Sequence, residues 1–217
     1  MGTYKPGIFG PFNGTVGHVV ATKWKGKDVV KNSPQKTNKQ ASLSQVDQRG
    51  RFKLVNDFLG RCSSLVAIGY QSAGKKRIPI NVAVTYHLEN AVTGVYPEYE
   101  LDYAKVKLSL HKAIDPVIRP ELLMESKDVL KVIWEMPRMR SITTKSDDLA
   151  YIMCYNSIKR KCLEFQVARR SDLSATLTIP GPYKGDELHC WIFFVSADGK
   201  CTSDTQYLGA VIWNLAS

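Results

Sequence analysis

Three features predict the fold class. Six short apolar or alternating segments lie between residues 129 and 213, an amphipathic helical stretch precedes them, and the chain opens on glycine, aromatic and lysine residues. Together they predict an α+β chain: an N-terminal hairpin or arm plus helices, followed by a C-terminal immunoglobulin-like (fibronectin-type) β-sandwich. At 217 residues and 44% hydrophobic content, the chain can hold one large or two small domains. The expected divisions are a basic arm with a hairpin over 1–41, a helical region over 42–100 and the sandwich over 101–217. The last boundary falls near residues 97–104.

The opening, Gly7 to Lys31, holds Gly7, Gly10, Gly14 and Gly17 among Phe9, Phe12, Val16 and Trp24. Glycines at this spacing allow positive φ or close backbone approach. The aromatic residues still need burial, so the stretch is a poor flexible linker and a plausible docked arm. His18 to Lys23 and Asp28 to Asn32 flank Trp24-Lys25-Gly26-Lys27, which suits a hairpin with a short Gly-containing loop. Phe9, Phe12 and Trp24 are the candidate partner-docking anchors, because aromatic residues are favoured at interface centres. The competing reading makes the glycines plain turn residues and Trp24 a core side chain.

After a polar connector over 33–41, Ser42-Leu43-Ser44-Gln45 opens a helix in the manner of a capping box. Val46, Phe52, Val55, Phe58, Leu59, Cys62, Leu65 and Val66 follow largely three and four apart, predicting one long amphipathic helix to Ile68-Gly69. Gly50 and Gly60 weaken it by up to ~1 kcal/mol each relative to Ala. Gln71 to Arg77 is a loop with a basic tip, and Pro79 to Val92 is read as a second helix. Tyr99 to Leu110 alternates as strands do.

Within the sandwich the expected strands are Lys105–Leu110, Val129–Trp134, Leu149–Tyr155, Cys162–Ala168, Ala175–Ile179, Leu188–Val195 and Tyr207–Trp213. Met136-Pro137, Ser146-Asp147-Asp148, Pro180-Gly181-Pro182 and Asp198-Gly199 supply the turns between several of them. Trp134 and Trp191 are expected between the sheets. The Cys…Trp…Cys spacing of antibody domains is missing, so only the general architecture follows.

The formal net charge of +10 is concentrated at one end. Residues 1–61 carry eight Lys and three Arg against three Asp, whereas residues 62–217 are nearly balanced. A basic quarter on a near-neutral body suits an anionic partner, such as nucleic acid, an acidic protein face or lipid headgroups; it equally suits a solvated surface. The candidate anion- or nucleic-acid-binding residues are Lys23, Lys25, Lys27, Lys31, Arg49, Arg51, Lys75, Lys76 and Arg77. No apolar run approaches the ~18 residues of a membrane span, and no apolar signal-peptide core is seen. The expected location is cytoplasmic, or within a virion or similar assembly.

The common catalytic signatures are missing from the sequence. Cys62, Cys154, Cys162, Cys190 and Cys201 form no C-x-x-C pair and read as buried free thiols, with a bridge between sheets from Cys154 or Cys162 to Cys190 as the alternative. His18, His87, His111 and His189 show no H-x-x-x-H spacing, and His189 reads as structural. No G-x-S-x-G elbow occurs, and neither Gly26-Lys27-Asp28 nor Gly74-Lys75-Lys76 completes a P-loop. Asp147-Asp148 and Asp186-Glu187 read as turn residues. Asn13-Gly14-Thr15 is a sequon without a secretory context. No catalytic, metal or cofactor site is expected.

A resemblance runs along the chain. Gly7-x-Phe9-Gly10-Pro11-Phe12-Asn13-Gly14-Thr15-Val16-Gly17-His18-Val19-Val20, Trp24-Lys25-Gly26 and Pro34 open it. Gln45-x-x-Gln48-Arg49-x-x-Phe52, Asn90-Ala91-Val92-Thr93-Gly94-x-Tyr96-Pro97 and Asp102-Tyr103-Ala104-Lys105-Val106 continue it. Gly185-Asp186 to Trp191 and Ser196-x-Asp198-Gly199-Lys200 complete it. In these segments the chain resembles a family of uncharacterised Bacteroidetes proteins, a domain of unknown function. The resemblance implies an architecture and no activity.

The expected function is therefore a non-enzymatic structural or interaction protein. It would dock in a larger assembly (a virion, an appendage or a surface complex) through its basic N-terminal arm, with other protein subunits as partners. The alternative is nucleic-acid binding through the basic N-terminal quarter, with Trp24 stacking on a base. An enzyme of unrecognised type is the third reading, and it requires a pocket with perturbed titrating groups.

Overall fold

The computed structural model describes residues 2–4, 10, 12–35, 40–71, 77–110, 113–126 and 129–213. The chain divides into two compact units, 1–42 and 43–217.

The first unit is a four-stranded antiparallel sheet in the order β1-β4-β3-β2, from β1 (Gly2–Thr3), β2 (Gly14–Val16), β3 (Val19–Trp24) and β4 (Lys27–Asn32). The expected hairpin forms, and its strands run one residue further than the sequence suggested, because Trp24 pairs directly with Lys27. Lys25 and Gly26 are the whole loop, with φ of 49° and 78°. Two consecutive positive φ values match the right-handed twist of the flanking strands. They explain why Gly occupies the second position.

The second unit begins with helices. The single long helix expected to Gly69 is two: α1 (Leu43–Arg61) and α2 (Ser63–Gly69). The break is at Cys62, whose φ is −119° and whose amide reaches back only three residues to the Leu59 carbonyl. The bend lets Leu65 and Val66 continue into the core beside Phe58 and Leu59. Helix α3 (Pro79–Asn90) starts on a proline, which fits a first turn that needs no amide donor. It is followed by a hairpin of β5 (Val92–Val95) and β6 (Glu98–Leu101) around a cis Tyr96–Pro97 peptide.

Seven strands then form two antiparallel sheets. One has the order β11-β8-β7 and the other β10-β9-β12-β13. The strands are β7 (Ile118–Ser126), β8 (Val129–Glu135), β9 (Leu149–Asn156), β10 (Lys161–Arg169), β11 (Ser174–Thr178), β12 (Glu187–Val195) and β13 (Gln206–Ile212). Leu130, Val132, Trp134, Ala175 and Leu177 from the first sheet share a core with Ile152, Cys154, Cys190, Ile192 and Phe194 from the second. The two sheets are thus the halves of a β-sandwich.

Six of the seven strands stand where the sequence placed them, and one does not. Lys105–Leu110 is not a strand: Lys105 ends a short 3-10 turn, Val106 and Leu108 are buried, and only Leu110 forms a single bridge, to Asp204. The seventh strand is β7, which contains Pro120. A proline argues against a central strand, but β7 is an edge strand, and its pairing with β8 shifts register between Ile118 and Glu121.

The four-stranded sheet is covered on both faces. Successive strand residues point to opposite faces, and here the faces sort by parity. Met153, Tyr155, Trp191, Phe193 and Val195 belong to a core shared with Val55, Phe58, Leu59, Leu65, Val66, Ala83 and Val84 of the helices, while their even-numbered neighbours face the other sheet. This accounts for the unbroken burial of β12 from Leu188 to Val195. It also corrects one expectation. Trp134 lies between the sheets, but Trp191 faces the helices, with Phe58 at 6.3 Å centroid to centroid. Residues 43–100 and 101–217 therefore share one core rather than forming separate bodies.

The cysteines are free thiols. Cys154 and Cys190 sit opposite each other on β9 and β12 with Sγ atoms 3.3 Å apart. They are neighbours within one sheet, not partners across two.

Candidate functional site

The register of β3 and β4 sorts the predicted cations of the first unit. Val20 pairs with Lys31, Thr22 with Val29 and Trp24 with Lys27, and these six share a face because directly paired residues point the same way. Lys23 lies on the opposite face, directly across from Asp28. Trp24 is 53% exposed, and the Lys25 ammonium stands 4.9 Å from its ring centroid. A cation over an indole face at that distance is a favourable contact. One face of the sheet thus carries a half-exposed indole with Lys27 directly across from it and Lys31 further along the same face, and the loop residue Lys25 stands over the indole ring.

Phe12 is also half-exposed, and its ring lies 5.5 Å from that of Tyr4. The Tyr4 hydroxyl accepts from the Phe12 amide at 3.1 Å and reaches the Phe12 carbonyl at 3.2 Å. Phe9, Lys75 and Lys76 lie outside the described residues. Arg49, Arg51 and Arg77 belong to the second unit, and Arg49 and Arg77 are exposed. Arg51 is engaged locally: it pairs with Asp47 at 3.4 Å and lies 5.2 Å from the Tyr99 ring centroid.

The second unit contains a feature the sequence did not reveal. A cleft of about 300 Å³ opens between α1, β6 and the end of β9. Leu54, Phe58 and Arg61 come from one face of α1, Tyr99 and Leu101 from β6, Tyr103 from the following turn, and Tyr155 and Arg160 from β9 and the turn after it. Burial pushes the Tyr103 phenol up to about 12. Burial also raises Tyr155, while the Arg61 and Arg160 guanidiniums pull it back down. No sequence signal joins these residues, because three separate segments supply them.

The remaining candidates are structural. His189 stacks on Tyr103 with centroids 3.9 Å apart, and its Nδ1 lies 2.7 Å from the Tyr207 hydroxyl. Asp186 accepts from Asn156 Nδ2 at 2.6 Å and from Lys159 Nζ at 2.5 Å, and these bonds hold its carboxyl below the usual range. Asp148 is paired with Arg170 inside the fold. Among the described residues, no group of three His, Cys, Asp or Glu is placed to hold a metal ion, and no helix is long and apolar enough to cross a membrane.

The model of a family of unknown function, DUF6266, matches residues 11–209, and the chain belongs to that family. No match was found among curated proteins. Among solved structures, the chain is similar to the fn3 domain of human collagen alpha-1(XX) chain at 15% identity and a TM-score of 0.34, over 50% of this chain and 91% of that one.

Proposed function

We propose that this chain is a non-enzymatic interaction protein that docks on neighbouring subunits of a larger assembly through its basic N-terminal sheet, while an immunoglobulin-like, fibronectin-type sandwich presents the rest of the surface. The observation that carries this reading is half-exposed Trp24 at the end of β3, with the Lys25 ammonium over its ring and Lys27 paired across from it. A half-exposed indole is the kind of anchor that dominates interface hot spots, and the lysines next to it suit an acidic partner face. The arrangement of three plus four antiparallel strands supports the fibronectin-type reading of the sandwich.

The test is the native mass of the complex recovered from its source at low salt, before and after nuclease, for the full chain and for Trp24→Ser. The expected result is a large mass that survives nuclease and is lost in Trp24→Ser. Collapse to the 24.3 kDa monomer on nuclease treatment overturns the docking reading and assigns the basic residues to nucleic acid. A large mass untouched by Trp24→Ser overturns the role of this face.

A further inference from the structure

The cleft beside α1 is furnished for a ligand. Its α1 wall repeats at 54, 57, 58 and 61, one face of a helix, so the apolar Leu54 and Phe58 lead to the charged Arg61 at the rim. The opposite wall carries Tyr99, Leu101 and Tyr103, and the end carries Tyr155 and Arg160.

Among the described residues, three polar groups at this end are unengaged. Arg51, Arg119 and Arg170 each pair with a carboxylate. Among the described residues neither Arg61 nor Arg160 forms an ion pair, although Asp57 and Glu100 line the same cleft. The Tyr155 hydroxyl likewise has no hydrogen-bond partner among the described residues. Arg61, Arg160 and Tyr155 all line this one cleft. Arg160 also has a firm mount. It closes the β9–β10 turn with φ of 51°, and the preceding Lys159 is tied by its amide to Asn156 Oδ1 at 2.7 Å and by its ammonium to Asp186.

We propose that this cleft binds a small organic acid, with its carboxylate or phosphate held by Arg61, Arg160 and the Tyr155 hydroxyl and its apolar or planar body lying against Phe58, Tyr99 and Tyr103. Guanidinium forks match the geometry of a carboxylate or phosphate oxyanion. A phenol O–H supplies a further donor. Tyrosine and phenylalanine walls provide the apolar contact typical of a small-molecule site with a few converging polar groups. Asp57 and Glu100 also line the cleft, so its lining is balanced in charge, and the oxyanion is held by hydrogen-bond geometry at the arginine end rather than by net charge. The site is thus distinct in kind from the lysine-rich face of the first unit.

The experiment is calorimetric titration of the full chain with benzoate, phenyl phosphate, inorganic phosphate and benzyl alcohol, repeated on Arg61→Gln/Arg160→Gln, on Tyr155→Phe and on Arg169→Gln as a control. The expected result is saturable binding of benzoate or phenyl phosphate, whichever oxyanion fits, with benzyl alcohol and inorganic phosphate weaker. The double arginine variant should lose on the order of tenfold or more in affinity, about 1.4 kcal/mol per tenfold. Tyr155→Phe should lose several-fold, and Arg169→Gln nothing. Arg61 and Arg160 are exposed, so their replacement leaves the fold intact. Equal binding of benzyl alcohol, unchanged affinity in the double variant, or no saturable binding of either aromatic acid overturns the proposal.

Discussion

The Cβ that Gly69 lacks would stand 2.0 Å from the carbonyl oxygen of Leu108. Helix α2 therefore ends in contact with the backbone of 106–110, a segment whose Ser109 hydroxyl donates to the Gly69 carbonyl at 3.1 Å. Backbone cannot rotate aside as a side chain can. Gly69→Ala should cost about 1–3 kcal/mol or more, the range for overpacking a tight core. Gly60, exposed on α1, has open space for 4 Å around the point where a Cβ would stand. Gly60→Ala should stabilise the protein by about 0.5–1 kcal/mol through helix propensity. Urea denaturation of the two variants checks both signs.

Arg170 and Asp148 form an ion pair at 3.1 Å with side chains 1% and 0% exposed. The Arg170 guanidinium also donates to the Asp115 carbonyl at 2.8 Å and lies 3.8 Å from the centroid of Phe194. Burial pushes the Asp148 carboxyl up and the Arg170 guanidinium down; the Lys145 amide and then Arg170 favour the carboxylate, and Asp148 favours the guanidinium. Removing one partner strands a buried charge. Arg170→Met alone should cost ~3–5 kcal/mol. Asp148→Leu/Arg170→Met together should cost much less than the two single losses added. Additivity within ~0.5 kcal/mol in a double-mutant cycle would show the pair to be uncoupled.

His87 is fully buried, with Nδ1 2.7 Å from the Ala83 carbonyl and Nε2 accepting from the Lys107 amide at 3.2 Å. This holds the ring neutral, because protonation of Nε2 would remove the acceptor. Burial lowers its pKa from 6.5, and burial lowers that of His189 also. A base whose pKa is depressed by folding contributes stability above its unfolded value, and that stability is lost as pH falls below it. Stability should decline below pH 6.5. His87→Gln should flatten that decline by up to about 1.4 kcal/mol per pH unit. The measurement is denaturant stability from pH 7.5 to 5, outside the carboxylate range.

Local pattern made much of the fold readable. Helix α3 follows from Pro79 and a run of helix-compatible residues, and the β3–β4 hairpin follows from Lys25-Gly26 between Val- and Thr-bearing segments. Strands β8 to β13 follow from short apolar runs between turn residues. Strand β7 was hidden because Pro120 forbids a central strand but is tolerated at an edge with irregular register. The face of Trp191 was hidden as well. Parity within β12 says that Trp191 and Ile192 point apart, but an all-buried strand does not say which side meets helices and which meets the other sheet.

The candidate sites divide in the same way. Trp24 and the lysines beside it are adjacent in sequence, so a hairpin alone brings Trp24, Lys25 and Lys27 together, and period-2 alternation alone turns Lys23 away. The cleft needs Phe58 and Arg61 from α1, Tyr99 and Tyr103 from the hairpin region, and Tyr155 and Arg160 from the sandwich. These residues are brought together only when the helices pack on the outer face of the four-stranded sheet. By itself the sequence determined the elements, the hairpin turn and the concentration of charge at one end, because propensity, alternation and turn chemistry act between near neighbours. The tertiary structure alone decided the two-sided burial of β12, the need for Gly69 at Leu108 and the placing of Arg61 and Arg160 along one cleft, because long-range packing sets which distant surfaces share a core.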